Sequence, residues 1–431
     1  MEILFEPRSR AYRERSRALE GGEMRELQGL INELLLRQET TTRETITRRY
    51  IELKRRLRHY WLSLHSQLTQ YSAYHSDIYS MDIQIRLIPE WEAQDAVIIS
   101  WPHAETDWAH ILDEADACYR ELARAILRFE DLIILTPEVE RIQQFFGEEA
   151  FAHQLRFIEL PTNDTWVRDY GPLSFRLKTE EEELKAIADF TFNGWGMKFA
   201  ADADNLVNRA LYVGRYFASD IQRLNNLLLV LEGGGVESDG EGTILTTESC
   251  IFEPNRNPGF DEEELKAMLR ETLGADRLLM LRHGDLEGDD TDGHIDTLAR
   301  FVDTETIAYV CCDDTEDEHY HRLKRMEQEL EQLTTPEGKP YRLIPLPLPS
   351  AIHEEDGHRL PATYANFLFV NGGLLVPTYA QSSDEVALSR LREALPGLEV
   401  VGVDCRTLIR QHGSLHCATM QLPQGFINPN K

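Results

Sequence analysis

The chain has 431 residues, 42% of them hydrophobic, and 45 Lys and Arg against 75 Asp and Glu give it a formal charge of -30. That length accommodates one large domain or two ordinary ones, each with a sizeable core. The acidity argues against nucleic acid as a partner, since a basic face supplies that affinity; it is compatible with a cationic substrate, and equally with an ordinary acidic cytoplasmic protein.

Residues 1–80 differ from the rest. They hold 14 basic and 11 acidic residues, about +3, leaving about -33 for the remainder. Met24, Leu27, Leu30, Ile31, Leu34 and Leu35 recur at helical spacing, and Pro and Gly are nearly absent, so 24–70 is predicted helical. The pattern lapses at Gln70-Tyr71-Ser72-Ala73-Tyr74-His75, shortly before Met81. Two readings stay open. Residues 1–80 are a helical extension used for self-association into a homo-oligomer, or the working protein starts at Met81 and comprises 81–431. The N-terminus is rich in Arg and Glu and lacks an apolar signal segment, and no run approaches the ~18 apolar residues of a membrane helix. A cytoplasmic location with no membrane partner is expected. Six cysteines, at 118, 250, 311, 312, 405 and 417, form neither a zinc pattern nor a disulfide framework, which fits a reducing compartment.

From Met81 onward the texture is α/β. Strand-like runs cover 96–100, 132–135, 227–231, 306–310, 367–370 and 374–376, and helical stretches cover 111–128, 202–216, 261–273, 317–333 and 384–394. Asn371-Gly372 between apolar runs predicts a hairpin. Strand pairs with one helix, recurring several times, suggest a repeated α/β unit. The acidic run 179–183 reads as a solvated loop, and 313–318 as a cap opening a helix.

Four clusters carry chemistry. Asn163-Asp164-Thr165-Trp166-Val167-Arg168-Asp169-Tyr170-Gly171-Pro172 offers carboxylates beside an indole. A carboxylate grips a guanidinium through paired N–H donors, and an aromatic plane adds cation–π attraction. On a strand Asp164 and Trp166 would share a face and Asp169 lie on the other, so a turn is needed; an Asx-turn beside a core tryptophan is the plain alternative. Glu232-Gly233-Gly234-Gly235 follows a buried strand, and a strand rather than a helix follows it, so phosphate binding is discounted and close backbone approach to Glu232 is expected. Asp290-Thr291-Asp292-Gly293-His294-Ile295-Asp296 puts His294 and Asp296 on one side of a strand. It fails as a calcium loop, because Gly288 and Ala299 would occupy the first and twelfth positions. A metal site from His294, Asp296 and His416 lacks familiar ligand spacing. Cys417, in Gln411-His412-Gly413-Ser414-Leu415-His416-Cys417, follows a Gly-Ser turn that delivers a thiol to a strand end; on a strand His416 would face away from it. A nucleophile, a histidine and several carboxylates suit a cysteine hydrolase acting on a cation.

Asn-Asp-x-Trp-x-Arg-Asp-x-Gly-Pro, Glu-Gly-Gly, Gly-His-Ile-Asp and Gly-x-x-His-Cys occur in that order. The chain thereby resembles the agmatine deiminase and bacterial peptidylarginine deiminase family over roughly residues 85–430. The resemblance implies a pentein fold, an α/β propeller of five pseudo-symmetric repeats. It implies Cys417 as nucleophile, His294 as general acid/base, Asp169 and Asp296 as the guanidinium grip, Glu232 as support for the histidine, and Trp166 and Asp164 lining the pocket. Trp101-Pro102-His103-Ala104-Glu105-Thr106-Asp107-Trp108 resembles the family's N-terminal tryptophan motif and adds Asp107 near the substrate tail. The expected reaction converts agmatine and water to N-carbamoylputrescine and ammonia, with no metal or organic cofactor and no nucleic-acid partner. Tyr170 after Asp169, and Ser414-Leu415 before His416, depart from the agmatine deiminase pattern, so peptidyl or free arginine is the alternative substrate. A non-catalytic pentein binding protein is the alternative from another class.

Overall fold

The computed structural model describes residues 83–431. The predicted helix over 24–70 and both readings of residues 1–80 lie outside them.

The chain opens with β1 (Gln84–Leu87), β2 (Gln94–Ser100), β3 (Asp131–Thr136) and β4 (Leu155–Glu159). There follow β5 (Leu173–Lys178), β6 (Glu183–Thr191), β7 (Gln222–Val230), β8 (Val236–Ser238), β9 (Thr243–Thr247) and β10 (Arg277–Leu281). The last are β11 (Ala299–Asp303), β12 (Thr306–Cys311), β13 (Arg342–Pro347), β14 (Leu368–Val370), β15 (Gly373–Thr378), β16 (Glu399–Asp404) and β17 (Thr419–Pro423).

Among the described residues these strands form five sheets in a mixed α/β arrangement. Every sheet holds the same triple, an antiparallel pair whose second strand takes a parallel partner. The triples are β5–β6–β7, β8–β9–β10, β11–β12–β13 and β14–β15–β16, and β17–β2–β3, which is led by the C-terminal strand. β1 extends the first of these and β4 the last. A parallel step needs a crossover, and a helix supplies it each time: Leu112–Ile126, Val207–Val213, Glu262–Leu273, Tyr320–Leu330 and Ser383–Ala394.

Local sequence explains these elements. Ala96 to Ile99 are buried on both faces of β2, hence a continuous apolar run instead of alternation. Leu112–Ile126 buries Ala115, Tyr119, Leu122, Ala123 and Ile126, the i, i+3, i+4 stripe of an amphipathic helix. Asp261 and Glu264 form a capping box at the start of Glu262–Leu273, and Gly274 ends the helix with φ at 65°. A Cβ on Gly274 would strike the backbone of Ile85. The Asn371-Gly372 hairpin forms between β14 and β15, with Gly372 at φ 73°.

Two expectations shift. The run 179–183 is the exposed β5–β6 turn, but Glu183 already pairs with Lys178 in the ladder. The run 313–318 stops short of the helix that starts at Tyr320; Asp317 instead accepts from the His319 backbone at 2.9 Å and pairs with Arg359 at 2.8 Å.

Candidate active site

The segment that leads into the first strand of each triple supplies one part of the site. Asp169 precedes β5, Glu232 and Gly234 precede β8, His294 and Asp296 precede β11, Asn366 precedes β14, and Cys417 precedes β17. Gly234 marks where they meet. A Cβ placed on it would stand 2.7 Å from His294 Nδ1, 2.8 Å from Asp169 Oδ1 and 3.0 Å from Asp296 Oδ2. The glycine run therefore lets the backbone approach His294, Asp169 and Asp296 closely, where the sequence reading expected an approach to Glu232.

The first aspartate cluster takes the turn it required, while the strand expected at His294 and Asp296 does not form. Asp169 sits in the short helix Val167–Tyr170, the turn its cluster required. His294 precedes the 3-10 turn Ile295–Thr297, so His294 and Asp296 converge through that turn. Cys417 lies in a turn just before β17, and its carbonyl accepts from the Arg168 backbone at 3.2 Å, tying the thiol segment to the Asp169 helix.

Asp169 Oδ1 accepts from the Gly234 backbone at 3.0 Å, and Oδ2 from Trp195 Nε1 at 2.8 Å. Its Oδ1 is 3.5 Å from His294 Nδ1. Burial pushes the Asp169 carboxyl up to about 6, with the Asp296 and Glu232 charges adding and His294 opposing. His294 Nε2 is 3.0 Å from Glu232 Oε2, which also accepts from Arg256 Nε at 2.7 Å. Burial alone would lower His294, but Asp169, Cys250 and Glu232 hold it well above the usual histidine range. Burial likewise opposes ionisation of Glu232, yet Arg256 and His294 keep it below the usual carboxylate range. Asp296 is also lowered against its burial, chiefly by His416.

Cys417 Sγ accepts from Asn366 Nδ2 at 3.2 Å and lies 3.6 Å from Asp296 Oδ2. Burial, then Asp296 and Asp169, push this thiol well above its ordinary value. A cation placed between the two carboxylates would offset the two charges that, with burial, keep the thiol protonated. Buried His294 Nδ1, Asp296 Oδ1 and Glu232 Oε1 have no hydrogen-bonding partner within the protein. Buried polar atoms are rarely left so, and their shared location suits a polar ligand.

The remaining candidates lie further out. Asp164 Oδ1 accepts from the Thr165 backbone at 2.7 Å, and burial raises the carboxyl to about 7. It faces Asp107 and Asp204 rather than the central cluster. Asp107 begins the turn Asp107–Ile111 and is exposed. Trp166 packs on Trp108 at 5.8 Å and beneath Gly413, whose missing side chain admits the indole. The indole that touches Asp169 is Trp195. The His416 ring bonds to Asp296, Glu90 and Arg300 and not to the Cys417 side chain; its Nδ1 is 2.8 Å from Asp296 Oδ2, so it reaches the site through that carboxylate. The trio His294, Asp296 and His416 is not a metal-ligand group among the described residues. The trios that gather donor atoms are Glu232, Cys250, His294 and Glu90, Glu237, His416. Arg256 already occupies the first trio's carboxylate, and Arg300 and Arg168 those of the second.

Asn366 and Trp195 escape sequence reasoning. Asn366 has no motif around it, but it stands where the other four segments place a functional residue, just ahead of the leading strand. Trp195 lies in Gly194-Trp195-Gly196-Met197, four consecutive positive-φ residues, and such strain around a buried indole points to this segment as a candidate.

The family model for Porphyromonas-type peptidyl-arginine deiminase matches residues 86–423. The chain belongs to that family. It is 32% identical over 362 residues to the agmatine deiminase of Stutzerimonas stutzeri, covering 78% of this chain and 95% of that one. A candidate arginine deiminase from Porphyromonas gingivalis, of known structure, is 54% identical, with a TM-score of 0.75 over 80% of this chain and 100% of that one. A C. jejuni agmatine deiminase with substrate bound, in a cysteine-to-serine form, is 36% identical, with a TM-score of 0.73 over 81% of this chain and 99% of that one.

Proposed function

We propose that this family member hydrolyses the guanidinium of agmatine, giving N-carbamoylputrescine and ammonia and so serving putrescine formation. One observation carries the reading: an imidazole and two carboxylates from two segments surround Gly234, and the Cys417 thiol lies 3.6 Å from one of those carboxylates. The named relatives add support, since agmatine deiminases match this chain over most of their length.

Asp169 and Asp296 grip the guanidinium and localise its charge, which makes the central carbon attackable. Cys417 gives up its proton to solvent as the cation binds, and Sγ forms a bond to that carbon. His294, held protonated by Asp169 and Glu232, gives its proton to the departing nitrogen as the C–N bond breaks. Neutral His294 then takes a proton from water, which attacks the amidino-thioether, and the S–C bond breaks to release the ureido product. Glu232 keeps His294 oriented; Asn366 steadies the thiol. Trp166, Asp164 and Asp107 shape the approach from outside the cluster. No step calls for a metal or an organic cofactor.

Peptidyl arginine is the second reading, favoured by the family's name. The enclosure of Cys417, His294, Asp296 and Asp169, all at most 6% exposed, supports a small substrate instead. Free arginine needs a cation for its carboxylate, and nearby Lys198 is already paired with Asp292 at 2.8 Å. The same reading makes the five sheets repeats of a closed pentein propeller, and the protein a cytoplasmic homo-oligomer. Among the described residues no helix is long and apolar enough to cross a membrane. Exposing the protein to agmatine, arginine and an arginine peptide separately, with products weighed by mass spectrometry, tests the substrate.

A further inference from the structure

His416 is buried and held at both ends of its ring. Nδ1 meets Asp296 Oδ2 at 2.8 Å. Nε2 meets Glu90 Oε1 at 2.8 Å, Glu90 Oε2 at 2.9 Å and Arg300 Nη2 at 3.0 Å. Its backbone N–H donates to Asn366 Oδ1 at 2.9 Å. Glu90 is itself fixed, accepting from Arg168 Nη1 at 2.8 Å, Arg300 Nη2 at 2.6 Å and Gln421 Nε2 at 2.9 Å. Arg300 continues to Glu237. The imidazole is thus a post braced between a charged network and one carboxylate of the site. Ionised Asp296 can only accept, so Nδ1 carries the proton that joins them.

The consequence falls on Asp296. With Oδ2 taken by His416, Oδ1 is left without a partner, ready for a ligand's N–H. Without that bond the carboxylate is free to rotate. The Cys417 thiol already donates to the same Oδ2 at 3.6 Å, and a carboxylate turned further toward it would hold the sulfur protonated more firmly. We infer that His416 is a positioning residue: its Nδ1–H holds the Asp296 carboxylate toward the guanidinium and keeps its bond to the Cys417 thiol long. The inference rests on the reading that Asp296 grips a guanidinium.

The test separates the two ends of the ring. The amide nitrogen of Asn sits near the position of imidazole Nδ1, and that of Gln near Nε2. H416N therefore keeps the bond to Asp296, while H416Q keeps only the contact with Glu90. Kinetics are measured on whichever guanidine the wild type turns over, so a wrong substrate assignment does not affect the comparison. Expected is kcat/KM within about fivefold of wild type for H416N. For H416Q the expected loss is on the order of 10²-fold, as for a reactive group displaced by about 1 Å. KM should rise and kcat fall together in H416Q, and iodoacetamide should alkylate its Cys417 more slowly at neutral pH. Both variants should lose similar thermal stability, since each gives up one end of the brace. A folded pair in which Asn is no better than Gln, or in which both match wild type, overturns the inference and leaves His416 as packing. If neither variant folds, E90Q replaces them, loosening the far end while residue 416 stays. It should raise KM at least about threefold; a folded E90Q with unchanged KM, kcat and alkylation rate overturns the inference equally.

Discussion

Gly234→Ala adds one methyl group where the site converges. The new carbon would lie 2.7 Å from His294 Nδ1, 2.8 Å from Asp169 Oδ1 and 3.0 Å from Asp296 Oδ2, where ordinary contact begins at 3.4 Å. Each group must therefore retreat by about 0.4–0.7 Å, and all three have a part in the proposed chemistry. A displacement near 1 Å at a reacting centre costs on the order of 10²-fold in rate. Overpacking a tight site costs about 1–3 kcal/mol of stability, which a protein of this size tolerates. Gly234 has no positive φ, so the methyl acts by contact alone. Gly235→Ala is the control: its Cβ would meet Cys250 Sγ at 3.2 Å and His294 only at 3.8 Å. Ammonia release from agmatine, followed beside circular dichroism and thermal melts, should show kcat/KM down about 10²-fold for G234A. The loss for G235A should stay within about tenfold. A folded G234A within threefold of wild type would refute the convergence on Gly234.

Other outcomes follow from the same geometry. Asp169 near 6 should give kcat/KM an acid limb there, activity rising with pH as the carboxyl ionises; Trp195→Phe removes the 2.8 Å donor to Oδ2 and should move that limb up by about one pH unit, read from a pH–rate profile. Asp169→Asn should abolish turnover yet raise Tm at pH 8. The folded pKa lies above the unfolded 3.8, so the cost of ionising Asp169 sets in as pH rises through 4–6 and reaches about 3 kcal/mol above it; the gain in Tm should vanish below pH 4. Exhaustive chelation should leave turnover intact, whereas loss restored by one added metal would favour a metal hydrolase. A chain starting at Met81 should fall in particle mass if residues 1–80 drive association; unchanged mass by light scattering, with unchanged activity, would sink that use of the segment.

Much of the fold was legible because each unit writes its own signals. Apolar runs such as 96–99 mark buried strands, helical stripes such as 115–126 mark crossovers, and Asn371-Gly372 marks a hairpin. The recurrence of triples was visible only as texture, since no motif repeats. Cys417, His294, Asp169, Asp296 and Glu232 were readable because each sits in a short dense motif. Their conformations were not: turns and 3-10 segments bring them together, and strand reasoning gave no hint that His416 bonds to Asp296. Asn366, Trp195, Glu90 and Arg300 depend on contacts across tens to hundreds of residues, such as Glu90 with His416, and local pattern holds no trace of them.

The most direct measurement is product analysis by mass spectrometry with agmatine, free arginine and an arginine peptide offered separately, and Cys417→Ser as the control. A gain of about one mass unit on agmatine with release of ammonia, abolished in C417S, is the predicted result. Turnover of the peptide or of arginine alone would contradict the substrate, and turnover that survives C417S would contradict the thiol mechanism itself.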